Sequence, residues 1–381
     1  MKKKIKIAIN TRFLLKGKLE GIGTYSHQIL QRLVKQTPEV EFHFLFDREW
    51  SEEYIYAKNV IPHKLSPQAR HPFLWYWWFE KSVTKWLRNN PVDLFLSLDS
   101  FLSLKTKTPT FLVMHDLAFE HYPEHVPFLV RKYYQYFFPK FALKAKHIFA
   151  VSEFTKQDIV SRYKIDKQNI SVAYCGVSDI YKPLNSSEQS TVRKQISNDS
   201  PYFISIGSLN PRKNTLSVVQ AFNQLKEEKK CQKYKLLIVG AKGWKTNNLY
   251  EEIDKSAYKN DIILLGHLEP KELSKYLASA EALVFPSLFE GFGIPIVEAY
   301  KCETIVITSN CSSTKEIGDG TSLLVNPKSV SEIKEAMFSV EKNSAISKEQ
   351  KALIETKLKL YNWGNSALNI ERNILEYLTN L

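Results

Sequence analysis

Cysteine is scarce in this 381-residue chain, which has four, Cys175, Cys231, Cys302 and Cys311, far apart or nine positions apart. That spacing excludes the paired ligands of a zinc site and the disulfide framework of a small secreted scaffold, so a reducing cytoplasm is the expected compartment. No run of 18 or more apolar residues occurs, and no transmembrane helix is expected. H-E-x-x-H and D-x-D are missing as well, which leaves a dedicated metal site unsupported. The absence of G-x-S-x-G and of a Walker loop weighs against a serine hydrolase or a P-loop ATPase. No five consecutive Lys or Arg and no zinc-finger or RNA-binding signature occur, so no nucleic-acid partner is expected. The opening MKKKIKIAIN has the basic start of a signal peptide but too short an apolar stretch, and it reads as a first strand.

What is present is a soluble composition, 44% hydrophobic and 24% charged, on a chain longer than one core usually fills. Two domains are expected. Net charge is +13 and uneven: 28 Lys+Arg face 18 Asp+Glu over residues 1–190, against 25 and 22 over 191–381. Such a field attracts phosphorylated substrates, anionic headgroups or nucleic acid, and charge alone does not choose among them. The stretch RHPFLWYWWFEKSVTKWLR, 70–88, gathers four of the seven tryptophans beside cations. Two readings stay open for it, an amphipathic helix on an anionic membrane surface and an ordinary core stripe.

The second half alternates short apolar runs (YFISIG, KLLIVG, DIILLG, ALVFPS, TIVIT) with amphipathic segments such as NTLSVVQAFNQLKEE. The first half repeats this more loosely with IKIAIN, FHFLF, DLFLSL, TFLVMHD, HIFAVS and ISVAYC, separated by helical patterns near 22–36, 73–89, 128–145 and 153–163. This is βαβ rhythm, hence an α/β fold with two doubly wound, Rossmann-like units. The polar, proline-bounded stretch 181–201 reads as the join plus one helix, which sets expected domains of 1–185 and 186–364.

In such sheets ligands bind beyond the carboxyl ends of the strands. After the first strand, Gly21 and Gly23 precede a helix, a placement that suits an anion near backbone N–H groups but equally suits a simple turn. After YFISIG come Ser208 and then Arg212 and Lys213, placed to hold a diphosphate, one through forked hydrogen bonds and the other as a point charge; the alternative is that they merely face solvent. In SLFEGFGIPIVEAY, Pro295 reads as the first helical residue, with the amides of Phe292, Gly293 and Ile294 at the helix start. Glu298 falls in the first turn and Glu290 just before it, so both carboxylates border one strand end and can accept bonds from sugar hydroxyls. The plainer alternative is dipole complement and solvated loop. His115 and Asp116, ending TFLVMHD, suit acid–base work or substrate orientation, or else packing and turn capping.

With those pieces in order, the chain resembles the retaining glycosyltransferases of the GT-B fold, in the large family-four group that includes many bacterial polysaccharide and lipopolysaccharide enzymes. The resemblance runs almost end to end. It is carried by EGIGTYSHQIL, MHDLAFEHYPE, AVSEFTKQDIV, YCGVSDIYKP, SIGSLNPRKN, LLIVGAKGW, YNWGNSA and above all LLGHLEPKELSKYLASAEALVFPSLFEGFGIPIVEAY with its E-x7-E pattern. It implies two domains facing each other across a cleft, an N-terminal acceptor-binding unit and a C-terminal nucleotide-sugar unit, with a final helix at about 365–381 packed back on the first. It implies that Arg212 and Lys213 neutralise the donor diphosphate, that Glu298 holds ribose hydroxyls and that Glu290 faces the transferred sugar. The amides of 292–294 would hold phosphate or sugar groups. His115 would lie near the reacting centre with Asp116 toward the acceptor, Gly21 and Gly23 would form the loop over the diphosphate, and Gly266 and His267 would border the base.

The activity implied is metal-independent, retaining hexosyl transfer without a cofactor, from a nucleotide diphosphate sugar to a glycan or lipid-linked acceptor. GDP-mannose is the preferred donor and a UDP-sugar the second; separately from the resemblance, the basic first half fits a lipid-linked acceptor at the inner face of the plasma membrane, so a cytoplasmic enzyme in peripheral contact with that face is expected. A sugar-nucleotide epimerase of the same fold and a non-catalytic glycan-binding relative are the alternatives. Departures from the family pattern are Glu303-Thr304 after Cys302, which brings an extra negative charge expected near the nucleotide; Ser313-Thr314-Lys315 before Glu316 in place of a leucine-proline; and Asn10 where related chains often carry Asp.

Overall fold

Runs such as KIAIN and YFISI have no polar face to turn toward water, which suits strands covered by helices on both sides. In the computed structural model of the chain, which describes residues 4–19, 21–243, 246–342 and 345–380, they form two parallel sheets. The first contains β1 (Lys6–Asn10), β2 (Glu41–Phe46), β3 (Val60–Lys64), β4 (Leu94–Ser97), β5 (Thr110–Met114), β6 (His147–Ala150) and β7 (Ile170–Val172), in the order β3-β2-β1-β4-β5-β6-β7. The second contains β8 (Tyr202–Ile206), β9 (Lys235–Val239), β10 (Ile262–Gly266), β11 (Ala282–Phe285), β12 (Ile305–Ser309) and β13 (Leu323–Val325), in the order β10-β9-β8-β11-β12-β13. Strand order reverses between β1 and β4 in one sheet and between β8 and β11 in the other, where a doubly wound fold opens a crevice for ligand.

One compact unit comprises Met1–Cys175 with Asn362–Leu381, the other Gly176–Tyr361. The helix Trp363–Thr379, capped by Asn362, belongs to the first because it seals that unit's own edge. Ser366 Oγ donates to the Tyr174 carbonyl at 2.6 Å, Asn369 Nδ2 donates to Val172 O at 2.7 Å, and the Trp363 ring meets Tyr25 edge-on at 5.7 Å. The join expected near 185 lies inside the second unit. The chain crosses earlier because Tyr181 is buried there with its hydroxyl bonded to Glu298.

Within the first unit, the switch between β1 and β4 is filled by the protein itself. Asn10 Nδ2 donates to Ser97 Oγ at 2.9 Å, Ser97 Oγ to Asp99 at 3.0 Å, and Asp99 pairs with Arg12, whose guanidinium lies 4.2 Å from the Phe101 ring centre. The tryptophan-rich stretch is one continuous helical run, Pro72–Trp77, a π-helical turn Trp78–Val83, and Thr84–Asn89. Trp78 and Phe79 are fully buried, and the Trp75 and Trp78 indoles donate to Ala69 O and Leu65 O, both at 2.9 Å. The core reading accounts for that inner face, while Phe73 and Trp77 point away from it and stay exposed. No helix among the described residues is long and apolar enough to cross a membrane.

Candidate active site

The loop after β8 is shaped by backbone contacts that leave no room for side chains. Gly207 N donates to Val239 O at 2.9 Å and Leu209 N to Ala241 O at 2.9 Å. A Cβ on Gly240 would lie 2.0 Å from Gly207 O, and one on Gly243 2.1 Å from Leu209 O. Asn210 then caps a 3₁₀ turn, Pro211–Lys213, by accepting from Lys213 N, while Ser208 Oγ accepts from Asn210 Nδ2 at 2.9 Å. Asn214, in the left-handed region at φ 60°, donates to Pro286 O at 3.0 Å and Pro327 O at 2.6 Å. Leu288 N completes the tie by donating to Arg212 O at 2.8 Å. The turn carrying both cations is thus fastened to the loop that follows β11.

There the cations meet Glu290. Arg212 Nη1 lies 2.9 Å from Oε2 and 2.7 Å from the Phe289 carbonyl, and Lys213 Nζ lies 2.6 Å from Oε1. Glu290 is only 6% exposed, and burial by itself would raise its carboxyl. The charges of Arg212 and Lys213 outweigh that and hold it at about 2, so it is ionised at neutral pH. The solvent-facing alternative for the two cations is therefore excluded, and Glu290, expected to face a sugar, here closes an ion-paired cluster with them.

Gly293, at φ 109°, turns the chain into the eight-residue helix Ile294–Lys301. The Ser313 hydroxyl lies 2.8 Å from both the Glu290 and the Phe292 carbonyls, and Glu290 N donates to Ser312 Oγ at 3.2 Å, which fixes the loop holding Phe292, Gly293 and Ile294. Ser313 is one of the residues by which the chain departs from the family's pattern, and it acts here as a brace. Three expectations need correcting, those for Pro295, Glu298 and Glu303. Pro295 is the second helical residue, and Glu298 falls just beyond the first turn. Burial pushes the Glu298 carboxyl up to about 7, partly opposed by the Tyr181 hydroxyl bonded to it. Glu303 is not near the strand-end rim either: it follows the C-terminal end of this helix and pairs with Lys351 at 2.7 Å. Gly266, at φ 67° at the end of β10, accepts from Gly240 N at 2.7 Å, which sets it and His267 on the same rim as Gly207 and Ser208.

In the first unit Gly21, at φ 46°, and Gly23 open the helix Ile22–Gln36, and a Cβ on Gly23 would meet Phe13 O at 2.8 Å. His115 follows β5, its Nε2–H donating to Leu98 O at 2.7 Å, with its ring 5.0 Å edge-on from Tyr25. That bond selects the tautomer and leaves Nδ1 carrying the lone pair. Burial lowers the imidazole pKa, only partly offset by the Leu98 bond, so the ring is neutral. Asp116 Oδ1 accepts from Ala118 N at 2.9 Å, which is the capping alternative. Among the described residues no group of three or more His, Cys, Asp or Glu could hold a metal ion.

The roles of Tyr181, Ser313 and Gly240 were not anticipated. In the sequence Gly240 shows as the glycine ending KLLIVG and Ser313 as a departure from the family pattern, while Tyr181 lies in YCGVSDIYKP with nothing to mark its partner.

Two family models match in tandem: Glycosyltransferase Family 4 over residues 19–179 and Glycosyl transferases group 1 over 186–359. Among curated proteins, the chain is 25% identical over 329 residues to the O-antigen chain mannosyltransferase B of Escherichia coli, covering 84% of this chain and 86% of that one. It is 26% identical over 300 residues to the O-antigen chain mannosyltransferase RfbU of Salmonella typhimurium, covering 77% and 79%. Among solved structures, sucrose-phosphate synthase of Thermosynechococcus elongatus superposes with a TM-score of 0.79 at 16% identity, covering 99% of this chain and all of that one. Anabaena HepE in complex with UDP-glucose gives 0.71 at 17% identity, with the same coverage.

Proposed function

This chain belongs to the GT-B glycosyltransferases of family four, and from that membership we propose that it moves a hexosyl unit, mannosyl in preference, from a nucleotide diphosphate sugar to a glycan or lipid-linked acceptor in bacterial surface polysaccharide synthesis, with retention at the anomeric carbon. The observation that carries the reading is the cluster of Arg212, Lys213 and Glu290 at the strand-end switch point of the second unit. The mannosyl and O-antigen preference draws support from the names of the two curated relatives.

As the bond from the anomeric carbon to the β-phosphate oxygen breaks, negative charge grows on the leaving diphosphate. Arg212, Lys213 and the start of helix Ile294–Lys301 are donors held ready for that charge, so they stabilise the transition state more than the ground state. The acceptor hydroxyl oxygen bonds to the same face of the anomeric carbon and passes its proton to a leaving phosphate oxygen, which removes the need for a strong protein base. Glu290 and Glu298 supply carboxylate acceptors for sugar and ribose hydroxyls. Neutral His115, through Nδ1, suits a further hydroxyl, and Gly266 with His267 form the rim for the base. The amides opening helix Ile22–Gln36 after Gly21 and Gly23 suit an anionic group. The donor is a substrate, and the reading calls for no metal and no cofactor.

Thermal-shift titration with GDP-mannose, UDP-glucose and UDP-N-acetylglucosamine tests the donor, because a bound ligand raises apparent stability by mass action. GDP-mannose is expected to shift the melting temperature most, and an equal response to all three overturns the preference. With the donor in hand, Arg212→Ala should slow transfer by roughly 10²–10³-fold, the usual loss for one preorganised donor. Turnover near the wild-type rate removes Arg212 from the mechanism.

A further inference from the structure

We propose that the outer faces of helices Pro72–Trp77 and Phe128–Lys144, in the first unit, form a docking surface for an anionic lipid bilayer. The two helices lie side by side, with the Trp75 ring stacked on Tyr134 at 5.8 Å and Tyr76 against Phe137 at 6.0 Å. Their inward residues, among them Trp75, Tyr133, Phe138 and Phe141, already supply the core. Packing therefore gives no reason for what points outward: Phe73 is 75% exposed, Trp77 56%, Phe128 61% and Leu129 54%. Large apolar side chains left exposed on two adjoining helices mark an interaction site.

The charge on these faces selects the partner. Helix Phe128–Lys144 contains no acidic residue. Over 72–89 the sole acid is Glu80, which is buried and accepts from the backbone of Leu104 and Lys105. Cations are interleaved with the apolar groups, Lys140 Nζ lying 3.2 Å from the centre of the Tyr136 ring and Lys132 Nζ 5.8 Å from that of Phe128. Lysines arranged this way can lay their stems along acyl chains and keep their ammonium groups among anionic headgroups, while indole and phenyl rings enter the interface. A second copy of the chain would oppose these cations with its own. The basic surplus of residues 1–190 extends the attraction.

The test is co-sedimentation of the full chain with phosphatidylcholine vesicles made with and without phosphatidylglycerol. Binding is expected to require phosphatidylglycerol and to weaken several-fold as salt is raised. The pair Phe73→Ser with Trp77→Ser, and separately the pair Lys132→Glu with Lys140→Glu, should each weaken it at least about tenfold with melting temperature and nucleotide response unchanged. Failure of the wild-type chain to bind, or variants that bind equally well, overturns the proposal. So does a wild-type dimer that the Phe73 and Trp77 changes convert to monomer without altering vesicle binding, which would make the face a self-association surface. The readout does not depend on the donor, so a failed donor assignment leaves this result interpretable.

Discussion

At the scale of single residues, the cations that would receive a diphosphate are already occupied by a carboxylate of the same chain. Any incoming diphosphate therefore competes with Glu290, and a sugar whose hydroxyls donate to Glu290 makes that exchange easier. Replacing Glu290 with Gln leaves both cations and removes the competitor. Glu290→Gln should bind a nucleoside diphosphate at least about tenfold more tightly while losing discrimination in favour of the nucleotide sugar, since breaking one side of a buried charge cluster costs roughly 2–5 kcal/mol. Calorimetric titration with GDP reads this directly, and weaker GDP binding would show that Glu290 is no competitor.

Glu298 gives a second residue-scale expectation. Its folded carboxyl sits near 7, above the ordinary value of 4.5, so the ligand-free protein holds the proton more firmly than the unfolded chain does. That contribution to stability is fully present below about 4.5, declines as pH rises through 7 and is then lost. Ribose hydroxyls favour the ionised form, so donor affinity should rise between pH 6 and 8. Glu298→Gln should flatten that profile and lift the melting temperature at pH 8. A donor affinity independent of pH in the wild-type protein contradicts the role.

At the scale of elements, the site depends on loops that approach one another at glycine. Gly240→Ala places a methyl group 2.0 Å from Gly207 O and must push away the loop that orients Arg212 and Lys213. A loss of about 1–3 kcal/mol in unfolding free energy is expected, with donor response falling further than stability does. Denaturant melts beside donor titrations separate the two effects. Most strands that read clearly in the sequence are buried on both faces, such as KIAIN and ALVF. The two that did not, β3 and β13, are sheet edges: β3 contains Pro62 and ends in His63-Lys64, and β13 spans three residues, so neither has a long apolar run.

At the scale of the whole molecule, the first unit is completed by the far end of the chain. Ile370 is fully buried on helix Trp363–Thr379, which packs against helix Ile22–Gln36. Ile370→Ala should cost about 2–5 kcal/mol and make the first unit's backbone more open to proteolysis, while the second unit's donor response is kept. Limited proteolysis with mapping of the fragments checks this.

Local pattern was enough to establish the α/β class, most of the strands and the residue types at the second unit's strand ends, because parallel strands must be apolar throughout and anion sites need cations beside glycine and helix starts. Tertiary structure alone decided that Lys213 and Glu290, 77 positions apart, are in contact, that Tyr181 reaches Glu298, and that the tryptophan-rich run turns one face inward and leaves another bare. Each of these depends on distance in space between residues remote in sequence or on which side of a helix is covered. A one-dimensional pattern records neither until the chain has folded.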